Sequence, residues 1–387
     1  MATIESLRAE LPAAQDRVYL NTGTSGPMPE RSVRAAVELL ELISREGYAS
    51  PPALSAYSQA LKEAREALAS VVSCEPRSIA LTHSTSEGIG IVASGLEWQA
   101  GDEVIISDLE HISGIAPWKR LAQVKGVVVR TLRSEGGRLP AERIIAAITP
   151  KTKLICISHV SYATGAILPV QEVCRAAQAK GVLVLVDGAQ AAGHLPVDAP
   201  ALGCDFYAFP GQKWLLGPEG TGALYVAPHA LEKIEPSRIG WASLVHDPAQ
   251  ADDDDVRLLP DARRFETGTI HAPAFRGLVQ SIRMLEAIGW EAIFQRALYL
   301  ANLAREELSR IPGVRVLTPQ AEASGLLTFA VDGVDPERVV KDAWSKHRVV
   351  IRSIPSFAAL RASFHAFNDP SDVETLAAAV AALVRDA

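Results

Sequence analysis

Lys213 stands in FPGQKWLLGPEGTGALYV, between an apolar run and a glycine-rich turn that leads into a second apolar run. An amine held in a short loop of this kind is a candidate for a covalent bond to a carbonyl ligand. Other reactive groups follow apolar runs in the same way. VLVLVDGAQ ends on Asp187 with Gln190 three residues later, and His111 follows VIIS in VIISDLEHIS. LTHSTSEGIG sets Ser84, Thr85 and Ser86 just before a helical pattern, where hydroxyls and free backbone N–H groups hold a phosphate. Taken singly, these residues read as a surface lysine, a helix cap and an aspartate capping the next helix. Together they describe one ligand: a phosphate at one end, a basic ring nitrogen that wants a carboxylate, a face that accepts an aromatic stack, and an atom that accepts an amine. Pyridoxal 5′-phosphate has all four features. A nucleotide phosphate loop is a poor reading, because GPEGTG lacks a following Gly-Lys-Ser or Gly-Lys-Thr.

These residues need a scaffold that brings the ends of several strands together. Between about 75 and 230 the runs VIIS (104–107), VVVRTL (127–132), KLICIS (153–158) and VLVLVD (182–187) are short, apolar and β-branched. Their composition predicts strands buried on both faces of a parallel sheet. VQEVCRAAQAK (170–180) puts Val170, Val173, Cys174 and Ala177 on one helical face, and Gly181 follows where a helix end favours a left-handed residue. Strand, helix and strand in this order predict a doubly wound α/β domain, whose ligands bind beyond the carboxyl ends of the strands. Residues 53–72 carry Leu54, Tyr57, Leu61, Ala64 and Leu68 at helical spacing, as a packed face would. After about 272, helical runs (275–288, 291–310) precede short strands, LLTFAV (326–331) and VVIRSI (349–354). A final helix is capped by Asp369, with Pro370 and Asp372 in its first turn. The expected organisation is a large α/β domain over 26–270 and a smaller α+β domain made of 1–25 with 271–387.

Bulk properties narrow the function. At 387 residues the chain is long for one core. Its net charge of −7 argues against nucleic acid or an anionic membrane as the main partner. No apolar run is long enough to span a bilayer and MATIESLRAE resembles no signal peptide, so a cytoplasmic protein is expected. Cys74, Cys156, Cys174 and Cys204 are scattered without a CxxC pair, which points to buried free thiols. The aspartate run 252–255 lacks the spacing of a calcium loop and reads as a solvated surface loop, and no metal site is expected.

Over nearly its whole length the chain resembles the class V, fold-type I pyridoxal-phosphate enzymes, which include cysteine desulfurases, cystine C–S lyases and several aminotransferases. The motifs are LVDGAQAAGHLPVD, FPGQKWLLGPEGTGALYV and RFETGT. The resemblance implies that Lys213 forms the internal Schiff base and that Asp187 partners the pyridine nitrogen. It places Gln190 near the phenolic oxygen, His111 on the ring face, and Ser84, Thr85 and Ser86 at the phosphate. Thr269 in RFETGT matches a residue that reaches the phosphate from a neighbouring subunit, which implies a homodimer. Arg361 in LRASFHAFND matches the arginine that clamps the substrate carboxylate, and bidentate guanidinium suits that group. YLNTGTSGPMP (19–29), with Asn21, resembles a segment that returns to the active-site mouth, although it also reads as a linker rich in turn formers.

Three departures shape the expected function. Gln212 stands where the family often has histidine, and Tyr162 stands near a position that is often asparagine. The segment RSIPSFAALRASFHAF has no cysteine before Arg361, so the nucleophile of a cysteine desulfurase is missing. The C-terminal pattern resembles the cystine or cysteine C–S lyase branch, implying β-elimination from cystine, cysteine or an S-substituted cysteine. A class V aminotransferase or an epimerase of the isopenicillin N type is the alternative enzyme. A non-enzymatic regulatory module is the least favoured reading, since it requires a DNA-binding domain for which there is no room before Tyr19.

Overall fold

The computed structural model describes residues 3–245 and 256–385, and the aspartate run 252–255 lies outside them. Thirteen strands occur among the described residues: β1 (Val18–Tyr19), β2 (Ile79–Thr82), β3 (Glu103–Ser107), β4 (Val128–Leu132), β5 (Thr152–Ser158), β6 (Leu183–Asp187), β7 (Phe206–Pro210), β8 (Gly222–Val226), β9 (Val314–Val316), β10 (Leu326–Val331), β11 (Val349–Val350), β12 (Arg352–Ile354) and β13 (Ala359–Ser363). The central sheet runs β2-β8-β7-β6-β5-β3-β4 and is parallel except for β8, which is antiparallel to both neighbours.

The apolar runs become strands as their composition predicts, with one correction. Every residue of β6, β7 and β8 is buried. In contrast, β4 ends the sheet, and its Val128 is 45% exposed. An edge strand has one neighbour and a thinner cover, so VVVRTL is not buried on both faces. The crossover helix Val170–Gln178 buries Val170, Val173, Cys174 and Ala177, and Gly181 follows with φ of 70°.

The helix Pro51–Val71 also differs in detail from its sequence pattern. Its buried stripe is Ala53, Tyr57, Ala60, Ala64 and Leu68, while Leu54 faces outward at 43% exposure. Small alanines let the helix Ala272–Glu286 pack closely against this stripe. The Tyr57 hydroxyl accepts the Ile270 N–H at 3.0 Å at the same contact.

A second core lies on the four-stranded antiparallel sheet β12-β13-β10-β9. It joins Leu300, Phe329, Leu360, Phe364 and Leu376 to Leu20 from the N-terminal segment. The run VVIRSI, expected as one strand, is divided between two sheets. Val349 and Val350 pair in parallel with β1, whereas Arg352–Ile354 pair with β13. Ile351 between them is buried in the second core, which turns the chain from one sheet to the other. The last helix, Pro370–Arg385, is capped by Asp369, which accepts the N–H of Ser371 at 2.9 Å and of Asp372 at 3.2 Å. Asp372 adds more than first-turn charge. It is buried and paired with Arg8 at 2.7 Å, fastening the two ends of the chain together.

Glu266 of RFETGT turns inward rather than toward solvent. It pairs with Arg65 and accepts the Leu81 N–H at 2.8 Å, both groups being largely buried. Glu266→Ala leaves a desolvated guanidinium without its partner and should lower the unfolding free energy by about 3–5 kcal/mol. Urea unfolding measures this directly. A loss under about 1 kcal/mol, the worth of an exposed pair, would show that the buried pairing does not govern this region.

Candidate active site

Three strands deliver groups to one place. Ser158 ends β5, Asp187 ends β6, and the Lys213 loop follows β7, so all three emerge at the carboxyl edge of the sheet. A cavity of about 240 Å³ opens there. Its walls include Ser84, Thr85, Ser86, His111, Tyr162, Asp187, Gln190, Gln212, Lys213 and Arg361, which come from segments far apart in sequence.

The Lys213 loop is gripped from two sides. The Gly26 N–H donates to the Gln212 carbonyl at 2.7 Å. A Cβ on Gly26 would come within 2.3 Å of the Lys213 carbonyl oxygen, so the N-terminal segment passes only as glycine. On the other side Trp214 stacks on His194 with centroids 3.7 Å apart and ring planes within 5°. The stack continues through His365 to Phe367, at centroid separations of 5.9 and 5.2 Å. It therefore runs from the main sheet's loops into the strand-following segment of the smaller core. The Trp214 indole donates to Gln190 Oε1 at 2.9 Å, and Gln190 Nε2 donates to the Gly23 carbonyl at 2.7 Å. Gln190 thus lines the cavity with both ends of its amide already engaged.

The charges in the cavity are unevenly matched. Arg361 is fully buried on β13. Its Nη1 donates to the Tyr162 carbonyl at 2.9 Å and its Nη2 to Thr24 Oγ1 at 3.1 Å, and its Nε has no partner. Arg352 stands opposite it on β12, and its Nη1 donates to the same Thr24 oxygen at 3.3 Å. Neither arginine forms an ion pair among the described residues. Like charges directly opposite each other in a sheet are destabilising, and an anion between them would relieve the repulsion. Burial, aided by Arg352, pushes Arg361 down to about 9. Burial also lowers Lys213 to about 8, opposed by Asp187 and assisted by Arg361 and Arg352. Asp187 is raised by burial, against the pull of the Ala189 N–H at 2.9 Å and of Lys213. His111 falls to about 4 through burial and the same three cations, so its imidazole is neutral at pH 7. Its Nδ1 meets Ser113 Oγ at 3.0 Å, and its ring meets Tyr162 edge-on at 5.1 Å.

These residues fit pyridoxal phosphate. Thr85 Oγ1 and Gln212 Oε1 are buried without a partner. Thr85 opens the helix Thr85–Gly95, whose cap is the Ser84 side chain, and this is where a phosphate would complete the bonding. A half-turn of the Gln212 amide presents its NH₂ to the same anion. Asp187 offers a buried carboxylate, His111 a neutral ring, and Lys213 an amine with a depressed proton affinity.

Two expected residues stand apart from the cavity wall. Asn21 acts one step behind it, since its Oδ1 accepts the Thr24 hydroxyl at 2.7 Å. Thr24 therefore accepts from both arginines while donating to Asn21, which fully uses its hydroxyl. Thr269 lies on the surface and does not line the cavity. Thr24, Ser113, Ser158 and Arg352 line it without having been singled out in the sequence. Arg352 carried no local signal, because its place opposite Arg361 depends on the pairing of β12 with β13. No cysteine reaches the cavity. Cys156, Cys174 and Cys204 are buried with their thiols pushed up, and Cys74 is raised to about 12, chiefly by burial.

An amine reacts only when neutral, so a Lys213 lowered to about 8 makes covalent uptake of the cofactor testable by its pH dependence. The rate of covalent uptake of pyridoxal phosphate should rise with pH, with a midpoint near that value, and level off above it. Arg352→Gln removes one repelling charge and should move the midpoint upward. A wild-type midpoint at the ordinary lysine value, about 10, would overturn this account.

The family model for class V aminotransferases matches residues 18–376. A probable cysteine desulfurase of Methanothermobacter thermautotrophicus is 33% identical over 96% of this chain and 96% of that protein. The isopenicillin N epimerase of Streptomyces clavuligerus is 33% identical over 95% and 94%. Among solved structures, the complex of the cystine C–S lyase C-DES with its reaction product cysteine persulfide superposes with a TM-score of 0.91 and 30% identity, covering 96% of this chain and 99% of that one. The chain belongs to the class V aminotransferase family of pyridoxal-phosphate enzymes.

Proposed function

We propose that the protein is a β-eliminating C–S lyase acting on cystine or a related S-substituted cysteine, with pyruvate, ammonia and a sulfur species as products. The observation that carries this reading is the pair of arginines without carboxylate partners in a cavity that contains no thiol. Cystine brings two carboxylates. Arg361, more deeply buried, suits the α-carboxylate next to the reacting centre, and Arg352 suits the distal one. The likeness to C-DES supports the same substrate class.

Pyridoxal phosphate, when bound, supplies an electron sink for the charge left as the Cα proton departs. Thr85, Ser86 and Gln212 hold its phosphate, Asp187 keeps a proton at its ring nitrogen, and His111 covers its ring. Lys213 Nζ takes the Cα proton, and its depressed proton affinity places a share of neutral amine at pH 7. The Cβ–S bond then breaks and the electron pair leaves on sulfur. With cystine and one water the balance is pyruvate, ammonia and cysteine persulfide. With cysteine it is pyruvate, ammonia and hydrogen sulfide. A desulfurase instead needs a thiolate to accept sulfur, and here no cysteine lines the cavity and all four are held as thiols.

The family likeness to isopenicillin N epimerase favours one second reading, in which the Cα proton is returned on the opposite face. We also propose a homodimer, with RFETGT at the subunit boundary. Ile239 and Trp241 are 52% and 66% exposed, and the Trp241 indole lies against Gly268, beside the exposed Thr269. A second subunit covering this patch would bring a Thr269 toward the phosphate.

Product analysis of the cofactor-loaded protein with L-cystine, and separately with L-cysteine, tests the activity. Pyruvate and ammonia are expected. Alanine would mean desulfuration, and D-enantiomer without pyruvate would mean epimerisation. Lys213→Ala should abolish turnover. Arg352→Met should raise KM for cystine by about 10- to 100-fold, the loss of one charge-assisted hydrogen bond, while changing KM for cysteine little. Equal effects on both substrates would remove Arg352 from distal-carboxylate recognition.

A further inference from the structure

Glu110 takes no part in the chemistry above, yet it is a buried acid one residue before His111. Its two carboxyl oxygens meet two serine hydroxyls, Ser107 Oγ and Ser158 Oγ, each at 2.5 Å. The two serines end β3 and β5. Ser158 lines the cofactor cavity and is the register neighbour of Asp187.

Counting protons gives this arrangement two states. Ser107 Oγ accepts the Leu109 N–H at 3.1 Å and donates its own hydrogen to Glu110 Oε1. Only Oε2 and the Ser158 hydroxyl remain to be arranged. When Glu110 is ionised, Ser158 must donate to it and offers only lone pairs to the cavity. When Glu110 is neutral, its proton on Oε2 is donated to Ser158, and the serine hydrogen is free for the cavity.

We propose that Glu110 is a positioning residue that switches the Ser158 hydroxyl between hydrogen-bond donor and acceptor toward the bound cofactor. The surroundings set the switch near neutrality. Burial raises Glu110 to about 7, against the Ser107 and Ser158 hydroxyls and with help from the Asp187 charge. The other titratable groups facing it are Cys156 on β5, held as a thiol, and His111 on its own loop, held neutral. Lys213 acts on this cluster through Asp187. Among the described residues no cation pairs with Glu110 directly, so its charge is balanced by protonation. This inference rests on the pocket's holding pyridoxal phosphate but not on the substrate assignment, because its readouts use no substrate.

The test is the absorption spectrum of the bound cofactor, titrated across neutrality in the substrate-free holoenzyme, with the cofactor's dissociation constant measured at the two ends. Wild type should show a one-proton spectral transition near pH 7 and an affinity change of roughly three- to tenfold, the worth of one hydrogen bond. Glu110→Gln, whose amide donates to Ser158 at every pH, should show the low-pH spectrum and affinity throughout. Ser158→Ala, which leaves the acid in place, should lose the transition as well. Infrared spectra of the apoprotein should contain the carbonyl stretch of a protonated carboxylic acid that Glu110→Gln lacks. A transition retained in either variant, or absent from wild type, overturns the proposal. If Glu110→Gln fails to fold, Ser158→Ala decides alone.

Discussion

A buried guanidinium without a counter-ion is the constraint around which this molecule is built. Taking a cation out of water costs several kcal/mol unless other groups compensate, and Arg361 has only a carbonyl and a threonine oxygen to do so. Holding it there takes a strand of the smaller core, a turn from the N-terminal segment and the Tyr162 loop. Arg352 and Lys213 add to the same positive field. Among the described residues, Asp187 is the one carboxylate in the cavity wall, and it comes from the central sheet whereas both arginines come from the antiparallel one. The site is therefore pre-charged for a ligand that brings phosphate and carboxylate together, and the fold bears a standing electrostatic cost until that ligand arrives.

The site was legible in the sequence where chemistry coincides with regular structure. Asp187, Lys213 and Thr85 each sit at the end of a strand or the start of a helix, and the apolar runs beside them mark those places. Arg352 and Thr24 were not legible, because their roles depend on strand pairing. Nothing in local sequence places residue 352 opposite residue 361, or brings a threonine from a turn-rich N-terminal loop to both. The errors have a similar origin. VVVRTL carries the composition of a central strand but takes the sheet's edge, and Leu54 has helical spacing but the wrong phase. VVIRSI reads as one strand because strand composition carries no information about which sheet is joined. Glu110 was hidden for a further reason, since an acid next to a candidate histidine gives no sign of burial until two strand-end serines close on it.

Beside the apolar cluster of Leu11, Leu216, Leu285 and Phe367, polar and aromatic contacts join the two cores. The column His194–Trp214–His365–Phe367 crosses between them directly behind Lys213. His194 Nε2 accepts the Gly325 N–H at 2.9 Å, and His365 Nε2 meets the Trp214 carbonyl at 3.1 Å. Stacked rings tolerate small sliding better than separation. Any displacement of the smaller core relative to the main sheet is thus passed to the residue that follows Lys213.

The pairing of β1 with β11 carries a consequence for biosynthesis. Val18 and Tyr19 find their strand partners only at Val349 and Val350, more than three hundred residues later in the order of synthesis, and Asn21 bridges to Ser363. The central sheet is complete by Val226 and is free to form co-translationally, since domains fold as units while the chain emerges. The loop after β1, and with it the Thr24 hydroxyl that steadies both arginines, must wait until β11 and β13 have been made. A nascent chain therefore can close the Asp187 and Lys213 side of the cavity first, and the Thr24 and Arg361 side only after β11 and β13 have been made.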